Sequence, residues 1–131
     1  MKKNVLIVDD DMMMRSIIEI YLVDQGFEIV GSAQDAEKAL NLLKNNKVDI
    51  IILDIHLKGT ILAIDFVEKI NKEYNLPIIY ISADPNEETI TKSIRKNIYG
   101  YLQKPLHKNN LRSTIYFALA KHNLKNNKNV K

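Results

Sequence analysis

Asp9, Asp10 and Asp11 stand in a row, Asp54 follows a wholly apolar run, Ser82 ends another short apolar stretch, and Lys104 comes just after a more mixed one. Carboxylates packed together raise one another's free energy unless a cation sits among them. A hard divalent cation with oxygen ligands is the natural guest, and Mg²⁺ suits a site of one or two carboxylates, waters and phosphate oxygens. A lysine ammonium nearby is a point charge for a phosphoryl oxygen. A serine hydroxyl can donate to another. These residue types make a toolkit for phosphoryl transfer, with a carboxylate as the candidate nucleophile. Thiol catalysis, thiolate zinc sites and disulfides are excluded, because the chain has no cysteine.

The surrounding pattern says what must position these groups. Residues 5–8, 50–53 and 78–81 are short apolar runs, and 28–33 and 99–102 read as more mixed strands. Between them lie stripes with helical spacing. The first is Met14, Ile17, Ile18, Tyr21 and Leu22, ended by Gly26. The second is Ala36, Ala39, Leu40 and Leu43, with Asp35 as N-cap and Asn45-Asn46 as its close. The third is Ala63, Phe66, Val67, Ile70 and Tyr74. The fourth starts at Pro85 and carries Ile90, Ile94 and Ile98; the fifth carries Leu111, Ile115, Ala118 and Leu119. Five β–α units in series predict an α/β fold with a parallel sheet and right-handed crossovers. Strands 1, 3 and 4 suit central positions covered on both faces, and 2 and 5 suit the flanks. In such a sheet ligands bind beyond the C-terminal ends of the strands. Asp9–Asp11, Asp54, Ser82 to Asp84, and Gln103 to Pro105 all occupy that edge.

The chain has 131 residues, 46% apolar and 27% charged, which suits one globular domain. The expected domain spans residues 1–122. Residues 123–131, rich in Lys and Asn, read as a frayed basic tail or the start of a linker. The net charge of +3 hides an asymmetry. Residues 1–88 carry 16 acidic and 9 basic side chains, whereas 89–131 carry 10 basic and none acidic. A solvated basic face is the plain reading; an acidic partner is the sharper one. Residues 1–8 hold two lysines and one apolar run too short for a signal peptide or a membrane span, so a cytoplasmic protein is expected.

Four motifs in order, Val-Leu-Ile-Val-Asp-Asp-Asp (5–11), Ile-Ile-Leu-Asp (51–54), Ile-Ser-Ala (81–83) and Leu-Gln-Lys-Pro (102–105), resemble the response-regulator receiver family from residue 4 to about 120. The resemblance implies a doubly wound, flavodoxin-like sheet of order 2-1-3-4-5 with five flanking helices. It implies Asp54 as phospho-acceptor and Asp10 as direct ligand of Mg²⁺, with Mn²⁺ as the alternative ion. Asp9 matches the acid that reaches the ion through water, and His56 the position whose backbone carbonyl completes the metal sphere. Ser82 matches the switch hydroxyl, Lys104 the lysine that pairs with the phosphorylated aspartate, Pro105 the proline after a cis peptide, and Tyr101 the switch aromatic. It further implies a sensor histidine kinase or phosphotransfer protein as donor. A downstream partner or output domain would dock at the face of the fourth helix, fifth strand and fifth helix. The chain then catalyses only its own phosphorylation and dephosphorylation. Neither membrane nor, for this domain alone, nucleic acid is expected.

Taken singly, Lys104 reads as a loop lysine, Ser82 as a turn cap and Tyr101 as core; only the ordered set separates them from those roles. Asp11 is expected to cap the first helix. His56 is not a ring ligand by spacing, since His107 and His122 lie far along the chain. Lys58-Gly59 replaces the family's frequent Pro-Gly, and Ala63 or Ile64 stands where a glycine is usual in the resembling subgroup. Met12–Met14 suggest an apolar lip on the acidic pocket. Asp84 and His56 hold positions that in this family tune acyl-phosphate lifetime. Lys92, Arg95, Lys96, Arg112 and Lys121 lie in a stretch with no acid after Glu88, which disfavours a symmetric dimer through the fourth and fifth helices. Tyr116 and Phe117 are either core or partner anchors. Two other classes compete. A haloacid-dehalogenase-type phosphatase would use Asp9 and Asp11 as Asp-x-Asp, and a nucleic-acid-binding module would use the basic C-terminal third.

Overall fold

Isoleucine, leucine and valine fill the three inner strands because both faces of those strands meet helices. The computed structural model describes residues 2–57, 59, 61–83 and 99–130, apart from the side chains of 127–130. In order come β1 (Asn4–Val8), α1 (Met12–Asp24), β2 (Glu28–Ala33), α2 (Ala36–Asn45), β3 (Ile50–Asp54), α3 (Ala63–Glu73), β4 (Ile78–Ser82), β5 (Gly100–Gln103) and α4 (Lys108–Val130). The helix expected over 85–98 lies outside the described residues, as do Lys58 and Asp84. The helix labelled α4 is therefore the one expected as the fifth.

The five strands are parallel and ordered β2-β1-β3-β4-β5. Alternate residues of each inner strand enter opposite layers. Leu6, Val8, Ile51, Leu53, Ile78 and Tyr80 pack with α2 and α3, through Ala39, Leu43, Phe66 and Ile70. Val5, Ile7, Ile50, Ile52, Ile79 and Ile81 pack with α1 and α4, through Ile18, Leu22, Leu111 and Ile115. The fold is thus doubly wound, as expected.

Local chemistry sets the ends. Asp11 accepts the Met13 N–H at 3.0 Å, and Asp35 accepts the Lys38 N–H at 2.9 Å, so both act as N-caps. Gly26, at φ +90°, ends the first turn-out in a conformation that favours glycine. By contrast α3 starts at Ala63 with no side-chain cap from Leu62. Gly100 has a packing reason: a Cβ there would lie 2.5 Å from Thr114 Cγ2, so its absence lets α4 settle onto β5.

One boundary differs from expectation. The tail expected over 123–131 continues α4 to Val130. Neither glycine nor proline follows Pro105, and lysine, leucine and alanine are good helix formers. Tertiary contacts hold the extension. His122 Nε2 donates to the Asn75 carbonyl at 2.7 Å, and Asn126 meets the Asn75 side chain at 3.3 Å. Asn75 itself sits at φ +51°.

Candidate functional site

Register puts the ends of β1, β3, β4 and β5 on one rim. Val8 lies beside Leu53, Asp54 beside Ile81, and Ser82 beside Gln103. The next residue after β1 is Asp9, and the next after β5 is Lys104. Four separated stretches therefore meet because their strands run in one direction.

Asp9 is 0% exposed and Asp54 is nearly as buried, while Asp10 is exposed. Carboxylate oxygens of the three lie within 4.8 Å of one another. Asp9 Oδ1 accepts the Asp11 N–H at 2.9 Å, and Asp54 Oδ1 accepts the His56 N–H at 2.9 Å. The Lys104 ammonium bridges the pair, 3.1 Å from Asp9 Oδ2 and 3.2 Å from Asp54 Oδ2. The Lys104–Pro105 peptide is cis.

Electrostatics follow from this crowding. Burial pushes the Asp9 carboxyl up to about 6; the Asp11 N–H opposes that, the Asp54 charge adds to it, and Lys104 offsets part. Burial alone would lower the Lys104 ammonium, but Asp54 and Asp9 outweigh it and hold the group above its ordinary value. A single ammonium shared by two buried carboxylates leaves negative charge uncompensated. Three clustered oxygen donors with one exposed member fit a hard divalent ion open to solvent on one side.

Ser82 is fully buried, and its hydroxyl lies 3.3 Å from His56 Nε2. Tyr101 lies opposite Tyr80 across β4 and β5, in the α2–α3 layer. Neither tyrosine hydroxyl meets a hydrogen-bond partner among the described residues. Asp11 turns to its helix cap, so Asp9 and Asp11 do not form the pair that a phosphatase reading needs. Met12 and Met13 are exposed beside the acidic rim, whereas Met14 is partly buried against the α1–α4 layer. His122 lies with Asn75, away from the rim residues. Two contacts were missed from sequence. Arg15 Nη1 donates to the Asp9 carbonyl at 2.7 Å, one helical turn into α1. The His56 ring contact bridges residues 26 apart and has no signal in spacing.

A doubly wound parallel sheet with clustered acids and a bridging lysine at its carboxyl edge defines an open α/β protein whose ligand site lies at that edge. Residues 5–116 match the family described as response regulator receiver domain. A putative NtrX-like response regulator of Rickettsia felis is 37% identical over 110 residues, covering 82% of this chain and 23% of the relative. Chemotaxis protein CheY-3 of Vibrio cholerae is 33% identical over 104 residues, 77% of this chain and 79% of that one. The signal receiver domain of a modulated diguanylate cyclase from Desulfovibrio desulfuricans superposes with a TM-score of 0.88 at 30% identity, covering 95% of this chain and 99% of that chain. NtrX from Brucella abortus gives 0.89 at 29%, covering 100% of this chain and 30% of that chain. The chain belongs to the response-regulator receiver family of two-component systems. It spans about a quarter of the length of the NtrX-like relatives. No helix among the described residues is long and apolar enough to cross a membrane.

Proposed function

We propose that Asp54 is the phospho-acceptor, taking its phosphoryl group from a sensor histidine kinase or phosphotransfer protein. The observation that carries this is the cluster of Asp9, Asp10 and Asp54 oxygens within 4.8 Å, bridged by one lysine. An Asp54 oxygen attacks phosphorus, a P–O bond forms, and the donor's P–N bond breaks with its electron pair leaving on nitrogen. Lys104 already touches Asp54 and is placed to follow the new negative charge onto a phosphoryl oxygen. Asp10, Asp54, Asp9 and the His56 carbonyl would hold Mg²⁺, or Mn²⁺ in its place. When bound, that ion neutralises charge on the phosphoryl oxygens.

Ser82 is the proposed switch hydroxyl and Tyr101 the aromatic that follows it. The chain then acts as a signalling domain, not a turnover enzyme, in the cytoplasm. The output face would include β5 and α4. Two features support that: a 510 Å³ groove along Tyr101, Gln103, Pro105 and His107, and exposed Phe117 and Leu124 on α4. Tyr116 instead packs on Phe27, ring centroids 5.7 Å apart, under the Arg112 guanidinium.

The test is incubation of the full chain with Mg²⁺ and acetyl phosphate. One phosphoryl group per chain is expected, lost in Asp54→Asn; equal labelling of the variant would refute the assignment.

A further inference from the structure

We propose that the His56 imidazole is a positioning group that holds the Ser82 hydroxyl in the resting protein, so that a phosphoryl group on Asp54 must draw the hydroxyl away from it. This rests on the reading of Asp54 as acceptor and deepens it by naming what restrains the switch.

Ser82 ends β4, and Asp54 ends the adjacent β3, paired with Ile81. The Ser82 side chain is fully buried, so its hydroxyl must be satisfied by protein groups and not by bulk water. His56 Nε2 stands 3.3 Å from that hydroxyl oxygen. The backbone N–H of the same residue donates to Asp54 Oδ1 at 2.9 Å. One residue thus touches both reacting partners, its amide on the carboxylate and its ring on the hydroxyl. The amide contact anchors the turn after β3 from which the ring reaches across.

With Nε2 unprotonated, the hydroxyl donates to the ring. A serine hydroxyl has one proton. It cannot give that proton to the ring and to a phosphoryl oxygen at once. The contact stabilises the resting arrangement alone, so it lowers the population competent to bind a phosphoryl group. One neutral hydrogen bond is enough to move such an equilibrium about threefold to tenfold.

The experiment titrates beryllofluoride, a phosphoryl mimic, into the full chain at saturating Mg²⁺ by calorimetry. Four proteins are compared: the unmodified chain, His56→Ala, Ser82→Ala and the double variant. His56 as a residue is exposed and belongs to neither apolar layer, so its truncation removes little core packing. The expected result is a Kd about threefold to tenfold lower in His56→Ala. The same change in the Ser82→Ala background should leave Kd unaltered. Unchanged or weaker mimic binding in His56→Ala overturns the inference. So does equal tightening without the Ser82 hydroxyl. If the unmodified chain takes up no beryllofluoride with Mg²⁺, the acceptor reading fails and carries this inference with it.

Discussion

At the scale of single residues, Lys104 and Asp9 carry opposite halves of one electrostatic arrangement. Lys104 is the one cation reaching both buried carboxylates among the described residues. Lys104→Met is expected to slow Asp54 phosphorylation by acetyl phosphate by about 10², the usual loss for one oriented charge partner at a reacting oxyanion. A rate within twofold of the unmodified chain would show that Lys104 does not meet the transferring group. Asp9 makes a pH prediction. Its folded pKa, about 6, lies above its ordinary 3.8, so the metal-free folded chain keeps a proton there that the unfolded chain releases. Its contribution to stability is fully present below pH 3.8 and is lost as pH rises through about 6. Urea unfolding without Mg²⁺ should show Asp9→Asn abolishing this decline; an identical slope in the variant would contradict it. The acids were legible because they follow apolar runs at strand ends, and Ser82 and Lys104 because they complete the ordered set of four motifs. The His56 ring contact and the Arg15 bond to the Asp9 carbonyl were not, since both depend on where folding brings a long side chain.

At the scale of elements, the inner strands were legible from their unbroken apolar runs and the edge strands from their mixed ones. Helices α1 to α3 followed from their period, and the first two also from their caps, Asp11 and Asp35 acting as the sequence suggested. The end of α4 was illegible, because Lys and Asn beyond residue 121 show no apolar stripe. Its hold comes from His122 and Asn126 gripping the turn at Asn75. His122→Ala is expected to cost about 0.5–1.5 kcal/mol, the net value of such a bond, measured by urea unfolding. No loss would show that the α4 extension hangs free of α3. Gly100→Ala should cost about 1–3 kcal/mol, because the added methyl meets Thr114 and Ile79. Combining it with Thr114→Ser, which removes the nearest methyl, should recover part of the loss.

At the scale of the whole molecule, parallel topology is what turns four unremarkable motifs into one site. Every strand delivers its carboxyl end to the same rim, and the two apolar layers lock the register that aligns them. Charge is also laid out globally. The acids lie in the first two thirds, and α4 carries Lys108, Arg112, Lys121 and Lys125 without an acidic residue. A symmetric dimer through this face would juxtapose like charges, so the beryllofluoride-activated chain should stay monomeric in light scattering at low salt. The central claim is that Asp9, Asp10 and Asp54 share one divalent ion with Ser82 and Lys104 beside it. Mn²⁺ titration followed by amide NMR reads this directly. Selective broadening is expected at residues 9–11, 54–56, 82–83 and 104, with Asn75 and His122 unaffected. Broadening scattered over the surface, or unchanged in Asp54→Asn, would contradict a shared metal site.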